Sequence, residues 1–243
     1  MSSETSGHTR AQLRQMFRFY LDNLGTGNIP DTSDTQIDAN DLLMMAYEEY
    51  ARQTRCFNVS YTLAATADTA IYAYSDFGEG AGARVFAVSH IAYNGKRLDR
   101  RSLTDMDNAD SAWRSKESGS PAVWIPWGDS AFRLYPAPSG TDNITFEGWS
   151  IPSVTSFDSD TECPSILKTD QPLIAIYAAI LATIKNPNDE NAIRQSALYP
   201  QWNEGIQKAN RRIHGTAETV VYGKYTDRQP SRYRNVGSII NLP

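Results

Sequence analysis

A block of short alternating strands set between two helical stretches constrains this chain more than any other feature. From Gly119 to Trp149 the residues run GSPAVWIPWGDSAFRLYPAP and, after a break, NITFEGW. The alternation predicts strands at Ala122 to Trp127, Ala131 to Tyr135 and Asn143 to Trp149. Gly128-Asp129-Ser130 and Pro136-Ala137-Pro138-Ser139-Gly140 separate them, and prolines that cannot donate to a ladder mark the second break as a turn. That order of parts, with helix on both sides and a long interrupted tail at the end, suits assembly better than catalysis.

Upstream, Leu13, Met16, Phe17, Tyr20, Leu21 and Leu24 recur at three- and four-residue spacing behind Thr9, predicting an amphipathic helix from Thr9 to Leu24 that ends near Gly25. A second helix is expected from Asp38 or Asp41 to Arg55. Its Leu42, Met45, Ala46 and Tyr50 lie on one apolar face with Leu43, Tyr47 and Ala51 beside it. After Cys56 the period becomes two. Val59, Tyr61 and Leu63 alternate with polar residues, and further strands are expected at Ala70 to Tyr74, Arg84 to Tyr93 and Lys96 to Leu98, the last two joined by Asn94-Gly95. Ser102 to Asp110 reads as a short helix. Helix then resumes with Leu173, Ile174, Tyr177, Ile180, Leu181 and Ile184, stopped by Asn186-Pro187. A last helix from Asp189 to Ile213 carries Ile193, Ala197, Trp202, Ile206, Ala209 and Ile213, with Pro200 expected to kink or interrupt it.

The simplest assembly of these parts is an α+β fold: a helical bundle made from both ends of the chain, an inserted antiparallel β-sandwich or barrel, and an extended C-terminal arm. The corresponding units are residues 1–55 and 165–215 for the helical domain, 56–164 for the β domain and 216–243 for the arm.

With 243 residues, 40% of them hydrophobic, the chain can bury one large core or two small ones. No apolar run approaches the roughly 18 residues that span a bilayer, and Met1 to Arg10 lacks the pattern of a signal peptide, so no membrane partner is expected and the reading is of a protein made in a reducing cytoplasm. Cys56 and Cys163, with no CxxC spacing, read as two buried thiols rather than a zinc site. The net charge of −5 is unevenly spread. From Arg194 onward eight Lys and Arg face three acidic residues, +5, which leaves −10 for the rest of the chain. An acidic body does not grip nucleic acid, whereas a basic end can seek an acidic partner.

Catalytic patterns are weak. His8, His90 and His214 are the three histidines: His8 in a polar terminus, His90 on a strand, and His214 closing a helix whose dipole its cation would favour. No GxSxG, HExxH or phosphate loop is present, and Asp76-Phe77-Gly78 copies three letters of a kinase motif without its partners. Asp158, Asp160 and Glu162 imitate paired glycosidase carboxylates, but acidic turns are the commoner origin of such clusters. Asn58-Val-Ser60 and Asn143-Ile-Thr145 match a glycosylation pattern only formally. No catalytic residue, metal or cofactor is assigned.

The tail from Thr216 is broken by Gly223, Pro230 and Gly237 after Gly215, yet it is rich in what binding surfaces use. Tyr222, Tyr225 and Tyr233 alternate with Arg228, Arg232 and Arg234, and Ile239, Ile240 and Leu242 supply apolar anchors near the end. It reads as a binding arm that orders on a partner.

Several stretches in a fixed order carry a resemblance. Arg55-Cys56 closing a helix, Asn94-Gly95-Lys96-Arg97-Leu98 in the strand block, Trp113 followed by Ser118-Gly119-Ser120-Pro121, the turn at Arg133-Leu134-Tyr135-Pro136-Ala137-Pro138 and Tyr177-Ala178-Ala179 on the returning helix together resemble the head-to-tail adaptor proteins of tailed bacteriophages. The tail tubular gatekeeper proteins of short-tailed phages are similar too, and the resemblance covers about residues 38 to 210. It implies a structural protein of the virion's neck or tail, assembled in the host cytoplasm, that forms a homo-oligomeric ring, usually of twelve copies. Such a ring docks on the portal protein through its C-terminal arm, surrounds double-stranded DNA without binding it specifically, and supports the next tail component, a nozzle or tail tube. The competing reading is a tail-associated protein that binds or cleaves cell-wall glycan, with Trp124, Trp127 and Trp149 as a stacking platform. Exposure of Trp127 in one groove with Asp158 or Glu162 would favour it.

Overall fold

A computed structural model of the chain describes residues 7–22, 29, 37–77, 84–128, 130–152, 157–185 and 189–215. Among these there are five α-helices and two four-stranded sheets, an α+β protein in which neither sheet closes into the barrel that was one expected alternative.

The helices start where the capping chemistry says they should. Helix α1 (Arg10–Asp22) begins behind Thr9, whose hydroxyl accepts from the Gln12 N–H at 3.3 Å while the Gln12 side chain accepts from the Thr9 N–H at 3.0 Å. Helix α2 (Ala39–Thr54) has the same reciprocal box from Asp38 and Asp41, and it ends at Arg55 in the left-handed region, whose N–H closes onto the Ala51 carbonyl. The predicted end of α1 near Gly25 lies outside the described residues.

Strands β1 (Asn58–Ala64), β2 (Ile71–Ala73), β3 (Arg84–Tyr93), β4 (Lys96–Arg97) and β5 (Asp99–Arg100) follow. Then come the short helix α3 (Leu103–Ala109), β6 (Val123–Pro126), β7 (Ala131–Tyr135) and β8 (Asn143–Ile151). One sheet runs β1-β8-β3-β4, all antiparallel; the other runs β2-β7-β6-β5. Asn94 and Gly95, with φ of 49° and 73°, make the two-residue turn between β3 and β4 that positive φ at both positions requires. The strand at Lys96 to Leu98 is shorter than expected. Leu98 turns inward, buried, and the chain enters β5, which pairs parallel with β6 and which alternation alone did not reveal.

Helices α4 (Gln171–Lys185) and α5 (Asp189–His214) return the chain to α1 and α2. Leu13, Phe17 and Leu21 of α1, Leu43, Tyr47 and Tyr50 of α2, Ile174 and Ile180 of α4, and Trp202 and Ile206 of α5 share one core. The Tyr177 and Trp202 rings lie 4.5 Å apart there, and burying a side chain of that size contributes roughly 2–3 kcal/mol. A second core takes side chains from both sheets: Ile91, Ile144 and Phe146 from the first, Tyr72, Trp124 and Phe132 from the second.

Three details differ from the periodicity. Helix α5 is continuous through Pro200: both Pro200 and Ser196 are exposed, so the carbonyl that loses its donor lies on the wetted side. Its buried face is Asn191, Arg194, Leu198, Trp202, Ile206 and Ala209, while Ile193 and Ala197 are exposed. Nine residues at about 100° each put Ile193 opposite Trp202. Met45, Ile184 and Ile213, expected inside, are likewise exposed in substantial part.

Candidate functional site

All nine proposed arm residues, Tyr222, Tyr225, Arg228, Arg232, Tyr233, Arg234, Ile239, Ile240 and Leu242, lie outside the described residues. The described residues end at Gly215, immediately before the proposed arm. Gly215 follows α5 with φ +74°, a conformation glycine adopts without a steric cost. Just before it, His214 Nε2 lies 2.7 Å from the Thr54 carbonyl at the end of α2, where an imidazole N–H donates to a helix's last turn. Arg212 reaches both carboxylate oxygens of Asp170, which also accepts the Tyr50 hydroxyl at 2.5 Å. Asp170 directly precedes α4, so one buried carboxylate ties α2, α4 and the end of α5 together. Burial, then the adjoining carboxylate, pushes the Tyr50 pKa well above the ordinary tyrosine value, and Asp170 raises that of Arg212.

Beside this node is a cavity of about 680 Å³ lined by Tyr50, Cys56, Cys163, Ile166, Asp170 and Ile213, among others. The two cysteines line the same space and are half-buried rather than buried, a correction to the sequence reading. Burial still raises the Cys56 pKa, so its thiol is a poor nucleophile. No cluster of three potential metal ligands occurs among the described residues.

The candidate carboxylates are used to hold α1. Asp160 takes a two-pronged contact from Arg14, at 2.8 and 2.7 Å, and further bonds from Arg10. Arg14, then Arg10, lowers its pKa, the reverse of what a general acid needs. Glu162 accepts the N–H groups of Asp158 and Ser159, and its own carbonyl accepts the Arg10 N–H at 2.8 Å. Asp76 accepts the Ala73 N–H in a 3-10 turn, which accounts for the kinase-like letters, although Gly78 lies outside the described residues. His90 Nε2 sits 3.4 Å from Glu147 across β3 and β8.

The tryptophans do not make a platform with these carboxylates. Trp124 is buried in the core between the sheets; Trp149 is half-buried under the Arg55 guanidinium at 4.8 Å; Trp127 packs with Met106, Trp113 and Ile125 on the other side of the second sheet. Asp160 and Glu162 instead face α1.

Two further sets of groups lie at or near the surface. On the helical side Phe19 of α1 is 66% exposed and Ile193 of α5 69%, and α4 packs against both helices. On the second sheet Arg133 stacks against two indoles, a contact the sequence reading passed over. The available signal was its place between inward Phe132 and Leu134, which puts it on the outer face.

No curated protein matches the chain. The SU10 adaptor protein family model matches residues 9–224, a span that takes in both helical stretches and the strand block, and the chain belongs to this family of structural phage adaptors.

Proposed function

We propose that the protein is the head-to-tail adaptor of a phage neck. In this reading twelve copies form a ring that docks on the portal through residues 216–243, surrounds the DNA channel and carries the nozzle or tail tube. The family match over residues 9–224 carries the reading. It gains support from the exposed Phe19 and Ile193, which lie on two different helices: a ring needs two unlike surfaces on each copy, and the stretches 9–24 and 189–213 would supply them. The basic, aromatic arm leaves from a tied-down helix end, so its attachment to the body is firm at Gly215. The strand block at 56–164 acts as an inserted domain within a helical domain of residues 1–55 and 165–215. The charge of −10 outside the last fifty residues favours an acidic lumen that lets duplex DNA slide. The protein acts in the virion after assembly in the host cytoplasm, without catalysis or cofactor.

Cryo-EM of the purified protein mixed with its portal tests this: a twelvefold ring beneath the portal is expected, and monomers or dimers on the portal would refute it. Deleting Ser238 to Pro243 should weaken docking while leaving the melting temperature nearly unchanged. Replacing Arg228, Arg232 and Arg234 should lower the on-rate and its salt dependence.

A further inference from the structure

The outer face of the second sheet holds a charge that no carboxylate among the described residues pairs. The Arg133 guanidinium carbon lies 4.9 Å from the centre of the Trp113 ring and 5.4 Å from that of Trp127. One Nη donates to the Arg114 carbonyl at 3.2 Å, and the buried Nε has no partner. None of the described carboxylates pairs with Arg133. Asp107, on α3, is engaged by the Trp113 indole N–H at 2.8 Å and by Arg114. Burial and the Arg114 charge both push the Arg133 pKa down. A cation stripped of part of its water with no described carboxylate beside it is costly to hold, and the two indoles and one carbonyl offset only part of that cost. The surroundings are those of an interface centre: the half-buried Trp127 beside a fully buried Trp113 that backs the guanidinium, Tyr135 with Lys116 over its ring at 5.7 Å, and Ile71, which is opposite Arg133 in the sheet and 42% exposed.

We propose that the Trp113–Arg133–Trp127 stack is a docking site for an acidic side chain, Asp or Glu beside an apolar residue, on a different protein. A planar carboxylate matches the guanidinium fork and would be bound by a charge-assisted hydrogen bond with the indoles excluding water. Duplex DNA fits less well, because the apolar rim of Trp127, Tyr135 and Ile71 suits a carboxylate beside an apolar residue better than a hydrated sugar-phosphate strand. The choice of a different protein over a second copy rests on the ring reading, in which the helical surfaces meet the neighbouring copies and leave the second sheet for another component.

The test is a titration of the full chain followed through the Arg133 Nε–H resonance, assigned by its absence in Arg133→Lys. The probe is the peptide acetyl-Ala-Leu-Glu-Leu-Ala-amide, compared with the same peptide carrying Gln and with a short DNA duplex. A saturable shift with the Glu peptide, at least tenfold weaker with Gln, is expected. Tryptophan fluorescence should respond to the Glu peptide in the native chain and not in Arg133→Met. Equal response to Glu and Gln, or tighter binding of the duplex, would overturn the carboxylate site. A shift that grows with protein concentration alone would place a second copy there and overturn the choice of a different protein. Neither ring nor portal enters this experiment, so its failure and the failure of the ring are separate results. The resonance titration uses the native chain and stands even if Arg133→Met does not fold.

Discussion

Replacing Asp170 by Asn tests whether the node near the end of α5 is a structural clamp. The Asp170 side chain is only 8% exposed and accepts from two sides, the buried Tyr50 hydroxyl and the Arg212 guanidinium. Asn keeps one acceptor and turns the other position into a donor that faces a donor. The Tyr50 bond falls from charge-assisted to neutral, a loss of about 1 kcal/mol, and the mispaired buried amide costs about 1 kcal/mol more. Arg212 is 39% exposed, so the loss of its counterion is screened and adds at most about 1 kcal/mol. The sum is roughly 2–3 kcal/mol, or about 4–12 °C in melting temperature for a chain of this size. Tyr50→Phe should cost about 1–2 kcal/mol. Because one change weakens and the other removes the same bond, the double variant should fall short of their sum by about 1 kcal/mol. Urea unfolding of the native chain, both single variants and the double variant measures the cycle. Additivity within roughly 0.3 kcal/mol, or an Asp170→Asn cost no larger than that of Arg212→Gln, would refute the clamp.

Gly148→Ala should be severe: a Cβ there would meet the Ala87 carbonyl at 2.4 Å and the Phe146 ring at 3.2 Å, so β3 and β8 must part, at a cost of about 3 kcal/mol by thermal melt. Gly140→Ala, whose nearest neighbour is the Tyr93 hydroxyl at 4.0 Å, should stay within about 1 kcal/mol and serves as the control. Alkaline pH should destabilise the protein through Tyr47 and Tyr50. Burial pushes the Tyr47 pKa up to about 12, so the folded state keeps a proton that the unfolded chain releases near pH 10. Stability is full below about pH 10 and falls by about 1.4 kcal/mol per pH unit for each tyrosine above it. Tyr47→Phe should remove about 1.4 kcal/mol per pH unit from that slope between about pH 10 and 12, read from urea unfolding, and an unchanged slope would show that Tyr47 does not contribute to it. Asp160→Ala should loosen α1, seen as faster amide exchange at Leu13 and Phe17, with little effect on the sheets.

Local periodicity and capping chemistry made most elements legible in the chain itself. The limits of β3 and β7, the Asn94-Gly95 turn, the capped start of α2 and the helix closing at Arg55 each depend on residues within a few positions of one another, and neighbouring residues state such preferences directly. The family likeness was legible for a similar reason, since it rests on a fixed order of short stretches. The tertiary structure alone decided what lies across the chain. Tyr50 meets Asp170 at a separation of 120 residues and Arg14 meets Asp160 at 146, so carboxylates that looked like a catalytic pair became the anchor of a helix. The buried face of α5 followed the core it docks on, which takes Leu198 and Trp202 and leaves Ile193 in water, although apolar residues occur on both sides of that helix. Arg133 could be assigned to an outer face by alternation, but that none of the described carboxylates pairs with it emerges only from the assembled contacts, in which Asp107 is committed to Arg114 and Trp113. Pairings of this kind are chosen by the shape and dielectric of the assembled core, and no short-range preference encodes them.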